Sequence, residues 1–320
     1  MSVGLDLGTT EFRSIRDSGG DLVARRCKAS YLALKDTSGH RRLLDSIQAR
    51  YGTCGDDMVV FGDDALECGS MLNLPVIPLL PQGRLPSADP VARQIVALMV
   101  EAVLPAAATA GDVCCLTVPG GYGLDGDSQS LDVRFFKQLV TLRGYSVQLI
   151  SSGHAVVLAE LSNAMFSGLG ISLGATNCEI GVIHNGRELS RCTVASSLSD
   201  LKDDSEDGSL AELSASRAGR SELEQCRLRT LTSILTEARE ALDSNGALRL
   251  MQQPISIACT GGIAEGEEFG QLFAQAWSQS GWPVKVAQTR FATNPRFAVA
   301  RGGLIKAILE QGLAQDRRVA

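Results

Sequence analysis

One pattern constrains this chain more than any other. The stretch GLDLGTTEFRS (4–14) returns in altered form as GISLGATNCEIGVI (170–183). In each copy a short apolar strand runs into a turn of glycine and small polar residues, and a second strand comes back. A strand, a glycine turn and a returning strand make a hairpin. A hairpin of this kind at Gly4 and again at Gly170 points to two related halves.

The two turns share a chemistry. A tight turn aims successive backbone N–H groups at one small volume, and glycine lets an anion come close to the backbone. Gly8, Thr9 and Thr10 form the first turn, and Gly174, Ala175, Thr176 and Asn177 the second. A third, Thr260-Gly261-Gly262, closes an apolar strand at 255–259 and opens a helix. Two facing turns could hold the β- and γ-phosphates of a nucleotide, and the third could hold the α-phosphate with the nucleoside against it. Each turn alone is equally consistent with an ordinary hairpin or strand–helix junction. Their order along the chain carries the reading.

The segments between the turns read as α/β. Residues 59–72 look like a strand followed by a helix. Val91, Ile95, Val96, Met99, Val100 and Val103 recur at helical spacing over 90–104. VCCLTV (113–118) is a buried strand ended by Pro119-Gly120-Gly121. Leu131, Phe135, Leu139 and Leu142 predict one face of a helix at 131–143, with a strand at 145–150 and a buried helix at 154–166 after it. Residues 21–70 look less regular, and four prolines break 75–86 into extended pieces. A third strand follows 183, an amphipathic helix spans 223–242, and further helices follow the third turn and occupy 297–309. The polar stretch 196–221 reads either as a surface loop or as a partner-binding arm.

Composition narrows the function. With 30 Lys and Arg against 36 Asp and Glu the formal charge is −6, which argues against a nucleic-acid partner. No run of apolar residues is long enough to span a membrane, and no signal peptide is expected. The 9 cysteines contain no C-x-x-C pair. They read as reduced, buried thiols of a cytoplasmic protein rather than as disulfides or a metal site.

Taken in order, GLDLGTTEFRS (4–14), LTVPGG (116–121), GISLGATNCEIGVI (170–183), ACTGGIAEG (258–266) and FAVARGGLIKAI (297–308) resemble the actin, sugar-kinase and 70-kDa heat-shock chaperone superfamily. The likeness is to bacterial actins of the MreB and MamK type. VVFGDDALECGSM looks like that family's segment in its small first subdomain. The resemblance implies an actin-like ATPase fold, two lobes with mixed sheets flanked by helices around a nucleotide cleft. The first lobe would take 1–167 plus 297–320, with a small insert at about 28–90. The second would take 168–296, shortened, with the polar loop 196–221. It also implies ATP or ADP with Mg²⁺ near Asp6, and phosphate contacts from Gly8, Thr9, Thr10, Gly174, Ala175, Thr176 and Asn177. Arg13 stands where actins place a phosphate-contacting lysine, and Thr260, Gly261 and Gly262 match the adenosine turn.

Three departures weaken the nucleotide chemistry. Ser172 opens the second turn where the family has aspartate. Ser151 and Ser152 stand where bacterial actins begin a helix with a water-positioning acid, Glu160 lies too far along, and His154 reads as a packed or solvent-facing residue of the helix N-terminus rather than as a base. The chain between the second and third turns is short. Slow or absent hydrolysis is therefore expected. The favoured function is an actin-like protein that forms head-to-tail filaments or scaffolds and could serve a cytoplasmic partner. The alternatives are a nucleotide-free interaction module and a small-molecule phosphotransferase. Asp125, Asp127 and Asp132 read as solvated charges rather than as the base a sugar kinase needs.

Overall fold

The computed structural model describes residues 1–319 except 87–88, 121–129, 196–216, 245, 252, 263 and 265–266. Gly121, Asp125, Asp127 and most of the polar stretch 196–221 therefore lie outside the described residues. The chain opens with β1 (Val3–Leu7), β2 (Glu11–Ser18), β3 (Asp21–Lys28) and β4 (Ser30–Lys35), then α1 (Ser38–Ser46), β5 (Tyr51–Cys54), β6 (Asp57–Phe61) and α2 (Asp63–Leu72). It continues through β7 (Ile77–Pro78), α3 (Pro90–Val103), β8 (Val113–Thr117), α4 (Leu131–Leu142), β9 (Ser146–Leu149) and α5 (Ser152–Glu160). Then come β10 (Gly168–Leu173), β11 (Asn177–His184), β12 (Arg187–Ala195), α6 (Arg217–Ser244), β13 (Ile255–Gly261), α7 (Glu267–Ser280), β14 (Val286–Phe291) and α8 (Ala298–Val319).

The hairpin repeat extends into a repeat of whole sheets. One sheet has the order β3-β2-β1-β8-β9 and the other β12-β11-β10-β13-β14. In both, the first three strands are antiparallel neighbours and the last two add in parallel. The register also corresponds. Asp6 lies opposite Arg13 on β2 and Thr117 on β8; Ser172 lies opposite Glu179 on β11 and Thr260 on β13. A smaller sheet, β5-β6-β4-β7, fills the span 30–78.

Alternation places the cores. Val3, Leu5 and Leu7 pack with Phe12, Leu116, Ile95 and Met99 of α3, and Phe136 of α4. Leu169, Ile171 and Leu173 pack with Ile180, Val182, Ile257, Leu235 of α6 and Phe273 of α7. The small sheet has its own cluster around Leu32, Leu44, Met58 and Val60. Burying side chains of this size contributes about 1.5–3 kcal/mol each.

Several expectations need correction. Helix α4 exists, but its buried face is Val133, Phe136 and Val140, while Leu131 and Leu142 are exposed. The core takes the other edge of the apolar stripe. The helix expected at 154–166 ends at Glu160 and passes into a 3₁₀ turn at Ser162–Ala164. The supposedly irregular 21–70 holds β3, β4, α1 and β5. Helix α6 starts at Arg217, inside the stretch expected to be a polar loop.

Internal packing divides the described chain into two units. One contains residues 1–120, 130–149 and the end of α8 from Ala307; the other runs from Ile150 to Lys306. The first division falls before α5, which packs on β10 and β11 at backbone distance. A Cβ on Gly153 would lie 2.7 Å from the Gly181 nitrogen and 2.8 Å from the Gly170 carbonyl oxygen. The second falls within α8, whose start through Lys306 belongs with α5: a Cβ on Gly302 would lie 1.8 Å from the Ala155 carbonyl oxygen.

Candidate functional site

In the first unit, the turn after β1 is closed by the Gly8 N–H donating to the Glu11 carbonyl at 3.1 Å. A Cβ at Gly8 would sit 2.9 Å from that same oxygen, so close approach is what requires glycine here. Thr9 is half-buried and Thr10 exposed. The Thr10 carbonyl accepts from Ala29 N–H at 2.9 Å, tying the turn to the segment after β3.

Beneath this turn lies a charged row. Asp6 is buried, and its Oδ1 accepts from the Thr117 hydroxyl at 2.7 Å while Oδ2 accepts from Arg13 Nη1 at 3.4 Å. Burial pushes the Asp6 carboxyl above its ordinary range, against the pull of Arg13 and Thr117. Arg13 also donates through Nε to Glu11 at 2.7 Å. Glu11 is 2% exposed and meets Arg26 Nη1 at 2.9 Å and Lys28 Nζ at 3.8 Å as well. Burial works to raise the Glu11 carboxyl, but Arg13 and the other cations outweigh it and hold it below the usual range. Arg13 and Arg26 are cross-strand neighbours, a like-charge pairing that Glu11 neutralises.

In the second unit, the turn after β10 has the same closure. Gly174 N–H donates to the Asn177 carbonyl at 3.1 Å, and a Cβ at Gly174 would lie 2.5 Å from that oxygen. Ala175, Thr176 and Asn177 are half-buried, and Asn177 Nδ2 donates to the Thr176 hydroxyl at 3.2 Å. The third turn stands beside it, since Gly261 pairs with Leu173, the residue before Gly174. Gly261 has φ +142°, and a Cβ there would meet the Leu173 carbonyl oxygen at 2.1 Å. Gly262 is exposed. Thr260 is buried, and its hydroxyl donates to the Pro295 carbonyl at 3.0 Å, which anchors the turn's frame. The structure thus groups Asp6, Gly8, Thr9, Thr10 and Arg13 in one unit, and Gly174, Ala175, Thr176, Asn177, Thr260, Gly261 and Gly262 in the other.

Sequence reasoning missed a buried polar cluster next to the second turn. Glu179 takes the place in the second hairpin that Arg13 holds in the first. It is 7% exposed, and its Oε2 accepts the Ser152 N–H at 2.9 Å, in the first turn of α5. Arg191 of β12 approaches Glu179 Oε1 at 3.9 Å and Glu188 Oε2 at 3.5 Å. The Ser151 hydroxyl donates to Glu188 and also caps α5 through the His154 N–H at 3.1 Å. Burial raises both carboxyls above their ordinary range, although Ser152 and Arg191 pull Glu179 back, and Ser151 and Arg191 pull Glu188 back. A charged residue inside the otherwise apolar CEIGVI was the available signal.

Two other titratable groups near α5 are already engaged. The His154 ring meets the Gly186 carbonyl at 2.9 Å, and burial pushes its pKa down to about 4. Glu160 pairs with Arg301 of α8.

A nucleotide-bound Mg²⁺ takes most of its ligands from phosphate and water and only one or two from carboxylates. Asp6 fits that limited role, since its longer bond to Arg13 leaves Oδ2 weakly held. Among the described residues no group of three or more His, Cys, Asp and Glu gathers.

A family model, Volactin, matches residues 1–205. No curated protein sequence matches. Among solved structures, MreB 5 of Spiroplasma citri bound to AMPPNP is similar at a TM-score of 0.64 and 14% identity, covering 99% of this chain and 97% of that one. The MamK double helical filament is similar at a TM-score of 0.59 and 15% identity, covering 96% and 98%. At such identities the likeness speaks to the fold alone, which is that of actin-like ATPases. With twin hairpins, repeated sheets and a matching model over most of its length, the chain belongs to the volactin family.

Proposed function

We propose that this protein binds ATP or ADP, with Mg²⁺ at Asp6, through the Gly8–Thr10 and Gly174–Asn177 turns, and assembles head-to-tail into filaments or scaffolds. The observation that carries the reading is the common closure of the two turns. In both, a glycine N–H bonds the carbonyl three residues on, and in both a Cβ would strike that carbonyl. The bond itself closes any two-residue hairpin; the glycine-requiring approach of the carbonyl, repeated on sheets of one strand order, is what the two turns share beyond it. MreB 5, of the same fold, carries AMPPNP, and MamK forms a double helical filament.

In this reading the turn backbones orient the polyphosphate, and Arg13 exchanges Glu11 for phosphate oxygen. Gly261 and Gly262 flank the nucleoside. The metal supplies charge neutralisation on the phosphates. The thiols, among which Cys27, Cys114, Cys178 and Cys259 are buried and outside any disulfide, suit a cytoplasmic setting.

Titration with a fluorescent ATP analogue in Mg²⁺ tests binding, and ultracentrifugation across protein concentration tests assembly. Saturable binding and a concentration-dependent fast-sedimenting species are the expected results. A second reading, a nucleotide-free interaction module, is favoured by the engagement of Arg13 with Glu11 and Asp6. Absence of both binding and a thermal shift with Mg·ATP would select it.

A further inference from the structure

Hydrolysis at the second turn needs a group that holds and deprotonates water, and α5 begins with two serines. Glu179 meets the need from a neighbouring strand. It lies two residues past Asn177, roughly 7 Å of strand from the turn at about 3.3 Å per residue. It faces Ser172 across the β10–β11 pair, so both side chains leave the sheet on one face. Its Oε2 is fixed by the Ser152 N–H. Its Oε1 is buried and receives no hydrogen bond. A buried oxygen in that condition is ordinarily relieved by an ordered water.

The neighbouring groups are spoken for. Glu188 holds the Ser151 hydroxyl, the His154 ring holds the Gly186 carbonyl, and Glu160 holds Arg301. The charged groups facing Glu179 are Arg191 and Glu188 from β12; α5 presents Ser151 and Ser152, and β10 presents Ser172.

We propose that Glu179 is the catalytic base of a nucleotide triphosphatase activity, holding the attacking water on Oε1 beside the second turn. This rests on the nucleotide reading above. The water oxygen bonds to the terminal phosphorus as the bond from that phosphorus to the bridging oxygen breaks. The bridging oxygen leaves with the electron pair on the diphosphate, and the water proton passes to Glu179 Oε1. The products are nucleoside diphosphate and inorganic phosphate, and the proton then returns to solvent. Burial, which raises the Glu179 carboxyl, makes it a better proton acceptor near neutral pH than an exposed carboxylate.

The test compares the full-length protein with Glu179→Gln, which keeps an oxygen for the Ser152 N–H but cannot take a proton. Three quantities are measured with Mg·ATP: binding of the fluorescent analogue, the melting temperature, and phosphate release from pH 5.5 to 9. The expected result is unchanged binding and melting, with phosphate release slowed on the order of 10²–10⁴-fold. The acidic limb of the wild-type pH profile should also vanish. Wild-type release in Glu179→Gln, or a slowing matched by lost binding or melting, overturns the assignment. So does a wild-type protein that binds ATP without releasing phosphate. A wild-type protein that binds no nucleotide overturns the nucleotide reading itself.

Discussion

At the residue scale, the two turn glycines carry backbone geometry that no other residue can copy without displacement. Gly174→Ala places a carbon 2.5 Å from the Asn177 carbonyl oxygen. It is expected to cost about 1–3 kcal/mol of stability and to abolish analogue binding, read by melting and titration. Gly312 is the contrasting case, a helical glycine with nothing within 4 Å of a built Cβ. Gly312→Ala should stabilise by about 0.5–1 kcal/mol in the same melts. His154 gives a pH signature. Its pKa is pushed from 6.5 down to about 4 in the folded protein, so the unfolded chain takes up the proton first on acidification. Stability is therefore insensitive to this group above about pH 6.5 and falls between there and about pH 4, by about 3 kcal/mol in full. His154→Gln should lose less stability than the wild type between pH 7 and 5 in urea titrations. The turn residues were legible because glycine and threonine announce them. Glu179 was not, because strand periodicity marks which residues are buried, not which buried charge a neighbouring helix will engage.

At the element scale, α5 is held by contacts that exclude side chains on two sides. Gly170 meets the Gly153 carbonyl oxygen 1.9 Å from where its Cβ would be, and Gly302 of α8 meets Ala155 in the same way. Gly302→Val should therefore destabilise by at least about 3 kcal/mol, seen as a lower melting temperature and earlier denaturant midpoint. Helix α4 offers a paired comparison. Phe136→Ala should cost about 3–5 kcal/mol and Leu142→Ala less than about 0.5, because Phe136 is 2% exposed and Leu142 73%. The periodicity of α4 identified the helix but not its buried face, since Val133, Phe136 and Val140 compete with Leu131, Phe135, Leu139 and Leu142 for it. The short strands and helix within 21–54 escaped for a different reason. β3 is an edge strand with the mixed sequence DLVARRCK, and α1 is a nine-residue polar helix marked only by its Thr37 cap on the His40 N–H. Neither has an apolar period to read.

At the scale of the whole molecule, the repeat explains why one chain holds two sheets of matching strand order, each with a row of polar and charged residues beneath its turn. The row under the first turn is Asp6, Arg13 and Arg26 with Thr117; under the second it is Ser172, Glu179 and Thr193 with Thr260. Ligand binding to the folded chain should raise its stability by about 2.7 kcal/mol at a hundredfold excess over the dissociation constant. The most direct measurement is a crystal structure grown with AMPPNP and Mg²⁺. The account predicts the triphosphate within hydrogen-bond reach of the backbones of Gly8–Thr10 and Gly174–Asn177, with Glu179 Oε1 on a water beside the terminal phosphate. An analogue bound away from both turns, or turns that stay empty at saturating analogue, would contradict it.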